Sequence, residues 1–173
     1  PTAQYLWVMS FCINYFLAER SRSYKEDGAT LSYNKTANLL VKMKKDKDYL
    51  WLNEVDSMAL QETLRNLDRA YQNFFKKKAN YPKFHSKHGI QSYRTRNQSN
   101  GIRITGNKIK IPKIGYVKVK GLQPFDGHIL NATISMTKSN KFYVSLCVDT
   151  DIFKPSAPNK QIGLDVGLKE FYT

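Results

Sequence analysis

The stretch VDSMALQETLRNLDRAYQNFF, residues 55–75, decides how the first half of the chain folds. Its large apolar residues recur at intervals of four, three, four and three, at Leu60, Leu64, Leu67, Tyr71 and Phe74. That spacing predicts an amphipathic helix with one apolar face. Asp56 or Ser57 is a suitable N-cap, and Val55 is placed to pack against Leu60.

The opposite face of this predicted helix is polar and mostly basic. It carries Gln61, Arg65, Arg69, Gln72 and Lys76. Such a row of cations could follow a phosphate backbone, but a solvent-exposed helix face shows the same pattern. Taken alone, the row favours the solvent-exposed interpretation.

Two further helices are predicted before this one. Helical spacing runs from Leu6 to Tyr24, and Gly28 is expected to end that helix. A second helix follows in residues 30–45, with Ser32 as a plausible N-cap, and residues 48–55 form an apolar connector. The first 80 residues therefore indicate a helical region.

Residues 79–100 predict a loop that mixes cations with aromatic rings. Cations bind phosphates and flat rings stack on bases or sugars, so this mixture suits a nucleic acid. The two histidines in the loop have no nearby cysteine or carboxylate, which argues against a metal site. The residues concerned are Tyr81, Lys83, Phe84, Lys87, Tyr93, Arg94 and Arg96.

From residue 101 the apolar pattern changes to a period of two, which indicates strands. A hairpin is expected across Gly106 and Asn107, a strand at 115–121, and a second hairpin turning at Ser139 and Asn140. One face of the first sheet would be apolar, and the other would carry Arg103, Lys108, Lys110, Lys118 and Lys120. A nucleic-acid platform and ordinary lysines on solvent-facing strand positions explain this cationic face equally well.

The overall composition points to a polyanionic partner. Lysine and arginine number 28 against 14 acidic residues, a net charge of +14, which favours nucleic acid over a merely soluble basic protein. The two cysteines form no CxxC pair, so we expect no zinc site in this chain and a reducing, cytoplasmic setting. No apolar run is long enough to predict a membrane span. The start lacks an initiator methionine and both ends suggest a fragment.

Near the end, residues 162–168 read IGLDVGL, a predicted strand with one apolar face. The other face holds Asp165 between Gly163 and Gly167, and glycines there allow a ligand to approach the backbone closely. A carboxylate in this position suits Mg²⁺. The pattern opens both ribonuclease H-like and sugar-kinase folds, and a strand-end aspartate capping a turn is the simpler alternative.

Several stretches in order resemble one family. They include NYFLAERSRSYKEDGATLSYNKTANLL, the helix described above, YPKFHSKHGIQSYRT, IKIPKIGYVKVKG and IGLDVGLKEF. Together they resemble TnpB, the OrfB-type transposon proteins that act as RNA-guided DNA endonucleases. The resemblance covers nearly the whole chain.

The resemblance implies an α+β fold. A helical recognition domain, residues 1–78, would be inserted in a wedge-type antiparallel β-barrel, residues 79–157. Residues 158–173 would be a linker and the first strand of a RuvC nuclease domain of ribonuclease H-like fold. Asp165 falls where the family has its first catalytic, Mg²⁺-binding aspartate, while its other acids and its zinc finger would lie beyond this chain.

The resemblance also implies partners and readers. Guide RNA and double-stranded target DNA would be bound in a prokaryotic cell, at the nucleoid, with the oligomeric state left open. Base pairing would read most of the target, and the protein a short adjacent duplex motif. The stretches aligned with that motif reader contain Tyr33, Thr36, Ser57, Met58, Gln61, Asn97 and Gln98.

Three departures from the family pattern leave an alternative open. The first barrel strand is missing, the first helix is about two turns short, and the nuclease domain stops after one strand. The alternative is a nuclease-dead or decayed TnpB-like module that binds DNA or RNA. On its own, this chain is expected to bind nucleic acid without cutting it.

Overall fold

A computed structural model describes residues 2–86, 89 and 91–151. The predicted RuvC-like strand and Asp165 lie outside these residues. The described elements are α1 (Thr2–Asp27), α2 (Tyr33–Met43), a 3-10 helix (Lys47–Glu54), α3 (Ser57–Phe75), β1 (Gln91–Arg96), β2 (Arg103–Thr105), β3 (Lys108–Ile111), β4 (Gly115–Lys118), β5 (His128–Met136) and β6 (Phe142–Asp149).

Helix α3 has the boundaries and the apolar face that its sequence predicts. Asp56 is the N-cap, and its carboxylate accepts a hydrogen bond from the Met58 backbone N–H at 3.1 Å. Leu60 and Leu64 are fully buried, and Val55 is buried beside them. The periodic apolar face therefore forms the centre of the helical region.

The two helices before α3 also follow the sequence pattern. Helix α1 ends before Gly28, whose φ of +62° is the left-handed conformation that a helix stop requires. Ser32 is the N-cap residue of α2, although its side chain makes no capping hydrogen bond. The predicted apolar connector is instead a 3-10 helix, which Asp46 caps by accepting from the Asp48 N–H.

Sheet 1 is antiparallel, with strand order β1-β5-β6. Its first strand corrects the prediction that residues 79–100 are a loop throughout, because residues 91–96 pair with β5. Tyr93 and Thr95 point inward and are buried, while Arg94 and Arg96 point outward. The strand is only six residues long and contains two arginines. Its alternation of buried and exposed positions is therefore too short and too charged to be recognised as a strand pattern in the sequence.

Sheet 2 is antiparallel, with strand order β2-β3-β4. The hairpin turns at Gly106 and Asn107, as predicted, since Thr105 pairs with Lys108. Ile109 and Ile111 are buried. Val117, predicted to face the core, is exposed because it lies on the edge strand β4.

The two sheets and the helices share one hydrophobic core, which extends from Phe16 on α1 through Leu60 on α3 to Ile109 and Ile134 on the strands. The α+β class is confirmed. The described strands form two small sheets and do not close into a barrel. No helix among the described residues is long and apolar enough to cross a membrane.

Candidate nucleic-acid interface

The outer face of α3 brings two predicted residues together. The Arg65 Nε donates a hydrogen bond to the Tyr33 hydroxyl at 3.3 Å, and the guanidinium lies 5.1 Å from the centre of the Tyr33 ring. Arg65, Arg69 and Lys76 are exposed, and Gln61 is half-buried. This face joins α2 to α3 as a polar, cationic surface.

The N-terminal end of α3 collects cations that the sequence did not single out. The Lys44 ammonium donates to the Ser57 hydroxyl at 3.0 Å. Partial burial lowers the pKa of Lys44, and the charge of Lys113 lowers it further. Lys44 and Lys113 are far apart in the chain, so only the folded arrangement places them near this helix end, where an anion is favoured. Met58, one residue further on, is half-buried.

Two of the predicted contact residues lie inside the protein. Thr36 is buried, and its hydroxyl donates to the Tyr33 carbonyl at 2.8 Å. Tyr93 is buried against Tyr5, with 6.1 Å between ring centres, and burial raises its pKa. Both residues therefore lie beneath the protein surface in this structure, and their direct contact with a base stays a prediction.

The outward face of β1 is cationic but only partly free. Arg96 is 52% exposed and its Nε donates at 2.9 Å to Glu62, whose side chain is 4% exposed. Among the described residues, Arg94 donates to the Thr133 hydroxyl on β5, at 3.3 Å, and forms no salt bridge. Arg94 is therefore the freer of the two cations.

Asn97 and Gln98 follow β1 and differ in availability. The Asn97 amide donates to the Ile129 carbonyl and accepts from the Ile102 N–H, both at 2.8 Å. These bonds hold the connection between the two sheets, so the Asn97 side chain is already engaged. Gln98 is exposed.

A cluster of four cations lies on one face of sheet 2. Arg103 pairs directly with Lys110, and Lys108 pairs directly with Lys118, so all four side chains share a face. No salt bridge among the described residues involves any of them. Like charges directly opposite each other destabilise a sheet, and a bound polyanion would relieve that repulsion.

An exposed tyrosine lies among these cations. Tyr116 pairs with Lys110 and therefore lies on the same face. Lys120, just beyond β4, is also exposed. We call this set, Arg103, Lys108, Lys110, Tyr116 and Lys118, the cationic sheet face. It combines phosphate-binding cations with a ring suited to stacking.

The remaining predicted residues are distributed elsewhere. Lys83 is exposed in the segment after α3, and Lys87 lies outside the described residues. No group of three or more His, Cys, Asp or Glu in the described residues could hold a metal ion. Asp165 lies outside the described residues, so its assignment as a Mg²⁺ ligand stays a prediction.

Comparison with known proteins yields relatives over most of the chain, although no family model matches. "Putative RNA-guided DNA endonuclease InsQ" of Escherichia coli is 28% identical over 166 residues, 94% of this chain. "Putative RNA-guided DNA endonuclease" of Streptomyces pristinaespiralis is 26% identical over 168 residues, 92% of this chain. The resemblance to TnpB-type proteins is confirmed.

The chain spans 40% of the length of each of these two relatives. A third relative, "Virulence protein VsdF" of Salmonella dublin, is 38% identical over an alignment of 79 residues that covers 40% of this chain and 66% of that protein.

Proposed function

We propose that this chain is the nucleic-acid-binding part of a TnpB-type RNA-guided DNA endonuclease. The observation that carries the proposal is its similarity, over more than nine-tenths of its length, to two proteins with that name. The cationic sheet face supplies independent physical support, because its charges have no acidic partner among the described residues.

The cationic sheet face is the proposed platform for guide RNA. Arg103 and Lys108 would contact phosphates, which give affinity without sequence preference. Tyr116 would stack on an unpaired base. In this proposal sheets 1 and 2 form part of the family's wedge-type barrel.

The N-terminal end of α3 is the proposed reader of a short duplex motif beside the target. Gln61 has the amide geometry to pair with an adenine edge, and Met58 can contact a thymine methyl. Arg65 and Lys44 would hold the neighbouring phosphates. The guide would read the remaining target by base pairing.

Cleavage is proposed to depend on Mg²⁺ held by Asp165 together with acids of a RuvC-type domain. Mg²⁺ stabilises the attacking and leaving oxygens when a phosphodiester bond is cut. Cleavage of this kind uses two Mg²⁺ ions. The single carboxylate of Asp165 could not hold both, so this chain would bind its nucleic acids without cutting them. The zinc finger that the family carries would likewise be supplied outside these residues.

The test of RNA binding compares two double substitutions with the same loss of charge. The Lys108→Gln/Lys118→Gln variant should bind a labelled single-stranded RNA of mixed sequence more weakly than wild type, as measured by fluorescence polarisation. The slope of log K against log salt is negative, and its magnitude should decrease by about 1.4 when two phosphate contacts are lost, since each contact contributes about 0.7 on a single strand.

The control for that test is Lys138→Gln/Lys141→Gln, in the exposed turn between β5 and β6. It removes the same charge from a different surface and should retain most of the affinity. Equal losses in the two variants would mean that only net charge matters, and would contradict a role for the cationic sheet face.

The catalytic assignment has its own test. In a protein that joins this chain to a RuvC-type nuclease domain, Asp165→Ala should abolish Mg²⁺-dependent DNA cleavage without changing RNA affinity. Retained guide-dependent cleavage by this variant would remove Asp165 from the mechanism.

A further inference from the structure

A cavity of about 610 Å³ lies between the C-terminal halves of α1 and α3, and none of its lining residues belongs to the cationic sheet face. We call it the aromatic pocket and define it by Arg20, Tyr24, Lys25, Phe74, Phe75 and Tyr81. None of the functions proposed above uses it. Its volume falls within the range typical of small-molecule and nucleotide sites.

The rings of the pocket are arranged to receive another flat group. Tyr81 meets Tyr71 edge-on, with ring centres 5.6 Å apart, and meets Phe74 in the same manner at 5.3 Å. Tyr24 and Phe75 line the cavity but remain 65% and 63% exposed. Large apolar side chains exposed together in a concave site mark a binding surface.

The polar groups of the pocket are few and specific. Arg20 is only 6% exposed; it pairs with Asp68 at 2.6 Å and lies 4.8 Å from the Tyr71 ring centre. Its Nε is buried without an acceptor among the described residues. A buried donor without a partner is costly, and this arginine is also one of the residues that line the cavity.

Hydroxyl groups continue this polar edge. The hydroxyl oxygens of Ser21 and Tyr81 lie 2.7 Å apart, and those of Tyr81 and Tyr71 lie 3.0 Å apart. Burial, followed by the Tyr81 hydrogen bond, raises the pKa of Tyr71 to about 12, so its hydroxyl stays protonated at neutral pH. The pocket therefore offers neutral donors and acceptors at one edge of an aromatic surface.

The rim of the pocket is cationic. Lys25 lines the cavity, lysines 76–78 directly follow Phe75, and Lys83 lies two residues after Tyr81. All of these lysines are exposed, and none forms a salt bridge among the described residues. Flat rings surrounded by unpaired cations match a ligand that combines a planar group with phosphates.

We propose that the aromatic pocket binds an unpaired nucleobase of a single-stranded nucleic acid. Phe75 and Tyr24 stack on the base, the Arg20 and tyrosine edge meets its polar groups, and Lys25 lies near the flanking phosphates. That the strand is a guide RNA or target DNA rests on the proposed function. That the pocket binds a base rests on the structure of the pocket alone.

The experiment uses two labelled probes of equal length and charge. One is a single-stranded RNA with its bases, and the other has the same backbone built entirely of abasic nucleotides. Phe75→Ala should weaken binding of the base-bearing probe about fivefold or more, given the usual contribution of one base–aromatic stack. It should leave the abasic probe unchanged.

The matched control is Phe142→Ala, which removes an exposed phenylalanine from β6 on sheet 1. It should alter neither probe. Circular dichroism of both variants checks that they are folded, and Tyr24→Ala provides a second test in the same pocket should Phe75→Ala unfold the protein.

The outcomes separate the pocket from the wider function. An unchanged preference for the base-bearing probe in both pocket variants would overturn the pocket and leave RNA binding by the cationic sheet face intact. Equal binding of the two probes by wild type would also overturn it. If Phe75→Ala instead abolished self-association of the chain without affecting either probe, the pocket would be a protein-docking site and the proposal wrong.

Discussion

At the scale of single residues, Asp56 connects the helical region to sheet 1. Its carboxylate caps α3 at the Met58 N–H and also accepts from the fully buried Thr95 hydroxyl on β1. Asp56→Ala should lower the free energy of unfolding by about 2 to 4 kcal/mol, because it removes a helix cap and leaves a buried hydroxyl unpaired. Urea denaturation measures this loss.

The control for this prediction is Asp46→Ala. Asp46 also caps a helix, since it accepts from the Asp48 N–H at 3.2 Å, but it is exposed and has no partner on any of the described strands. Its removal should cost less than about 1 kcal/mol. Equal costs for the two substitutions would show that the bond to Thr95 contributes nothing.

Arg96 provides a second prediction at this scale, because its partner Glu62 is buried. Arg96→Gln should cost about 1 to 2 kcal/mol of stability, below the 3 to 5 kcal/mol of a fully buried pair, since water can reach the exposed guanidinium side. Arg94→Gln, on the same face of β1, should be nearly neutral for stability because the partner of Arg94 among the described residues is a neutral hydroxyl at 3.3 Å. Chemical denaturation of the two variants compares them directly, and a larger loss for Arg94→Gln would contradict the assignment.

The two cysteines should differ sharply in reactivity. Burial raises the pKa of Cys12 to about 12, whereas Cys147 is exposed on β6. At pH 8 a thiol-reactive dye should label Cys147 quickly, and Cys12 only after denaturation, because the thiolate is the reacting species. Rapid modification of both cysteines in the native protein would show that the core around α1 is open.

The raised pKa of Cys12 also predicts how the stability of the protein changes with pH. Between its ordinary value of 9.0 and about 12, the unfolded chain releases the thiol proton while the folded chain keeps it. The free energy of unfolding should therefore fall as pH rises through this window. Cys12→Ser should reduce this part of the slope in denaturation curves measured at alkaline pH.

Residue type predicted cations at the surface better than it predicted which polar or aromatic residues would be free. Arg65, Arg69 and Lys118 are exposed, as expected of charged side chains. Tyr93 and Asn97 have suitable chemistry for contacting a base. However, Tyr93 is buried in the core, and the Asn97 side chain is hydrogen-bonded to the backbone. The sequence indicates which ligands a side chain could bind, but only the folded structure shows whether that side chain is already buried or hydrogen-bonded within the protein.

At the scale of elements, the long periodic segments were predictable and the short ones were not. Helix α3 has five apolar positions in phase, and both hairpins have clear turn residues. Strand β1 has only two buried residues, Tyr93 and Thr95, and its partner strand β5 is about forty residues away in the sequence. Its formation depends on β5 and α3, which local pattern cannot report.

Gly127, at the start of β5, has a specific element-scale role. Its φ is +128°, and an added Cβ would overlap the Asp149 carbonyl oxygen on β6. Gly127→Ala should therefore destabilise the β5–β6 pairing by about 3 kcal/mol or more. Thermal unfolding followed by circular dichroism measures the effect.

Gly106 is the matched control. It also has a positive φ, +57°, but nothing lies within 4 Å of an added Cβ. Gly106→Ala should cost only about 1 kcal/mol, the backbone strain alone. If Gly106→Ala proved the more destabilising change, the close approach of Gly127 to Asp149 would not be an important constraint on the stability of sheet 1.

At the scale of the whole molecule, the chain pattern suggests a helical half and a strand half, divided near residue 78. That division stays a prediction, and the described residues on both sides of it contribute to one hydrophobic core. Tyr5 on α1 packs on Tyr93 of β1, and Asp56 and Glu62 bond to residues of β1. Composition cannot predict such contacts because the residues involved are separated by up to 88 positions.

This shared core predicts that the two halves unfold together. Both tryptophans, Trp7 and Trp51, lie among the helices, so their fluorescence reports on the helical half alone. Ile134→Ala in β5 should nevertheless shift the fluorescence-detected urea midpoint, because it opens a cavity in the shared core at a cost of about 2 to 5 kcal/mol. Leu130→Ala on the same strand, where the side chain is exposed, should shift it little. Two independently folding units would give a different result: the tryptophan transition would not respond to Ile134→Ala, while circular dichroism would show that sheet 1 melts early. That outcome would support a domain boundary near residue 78.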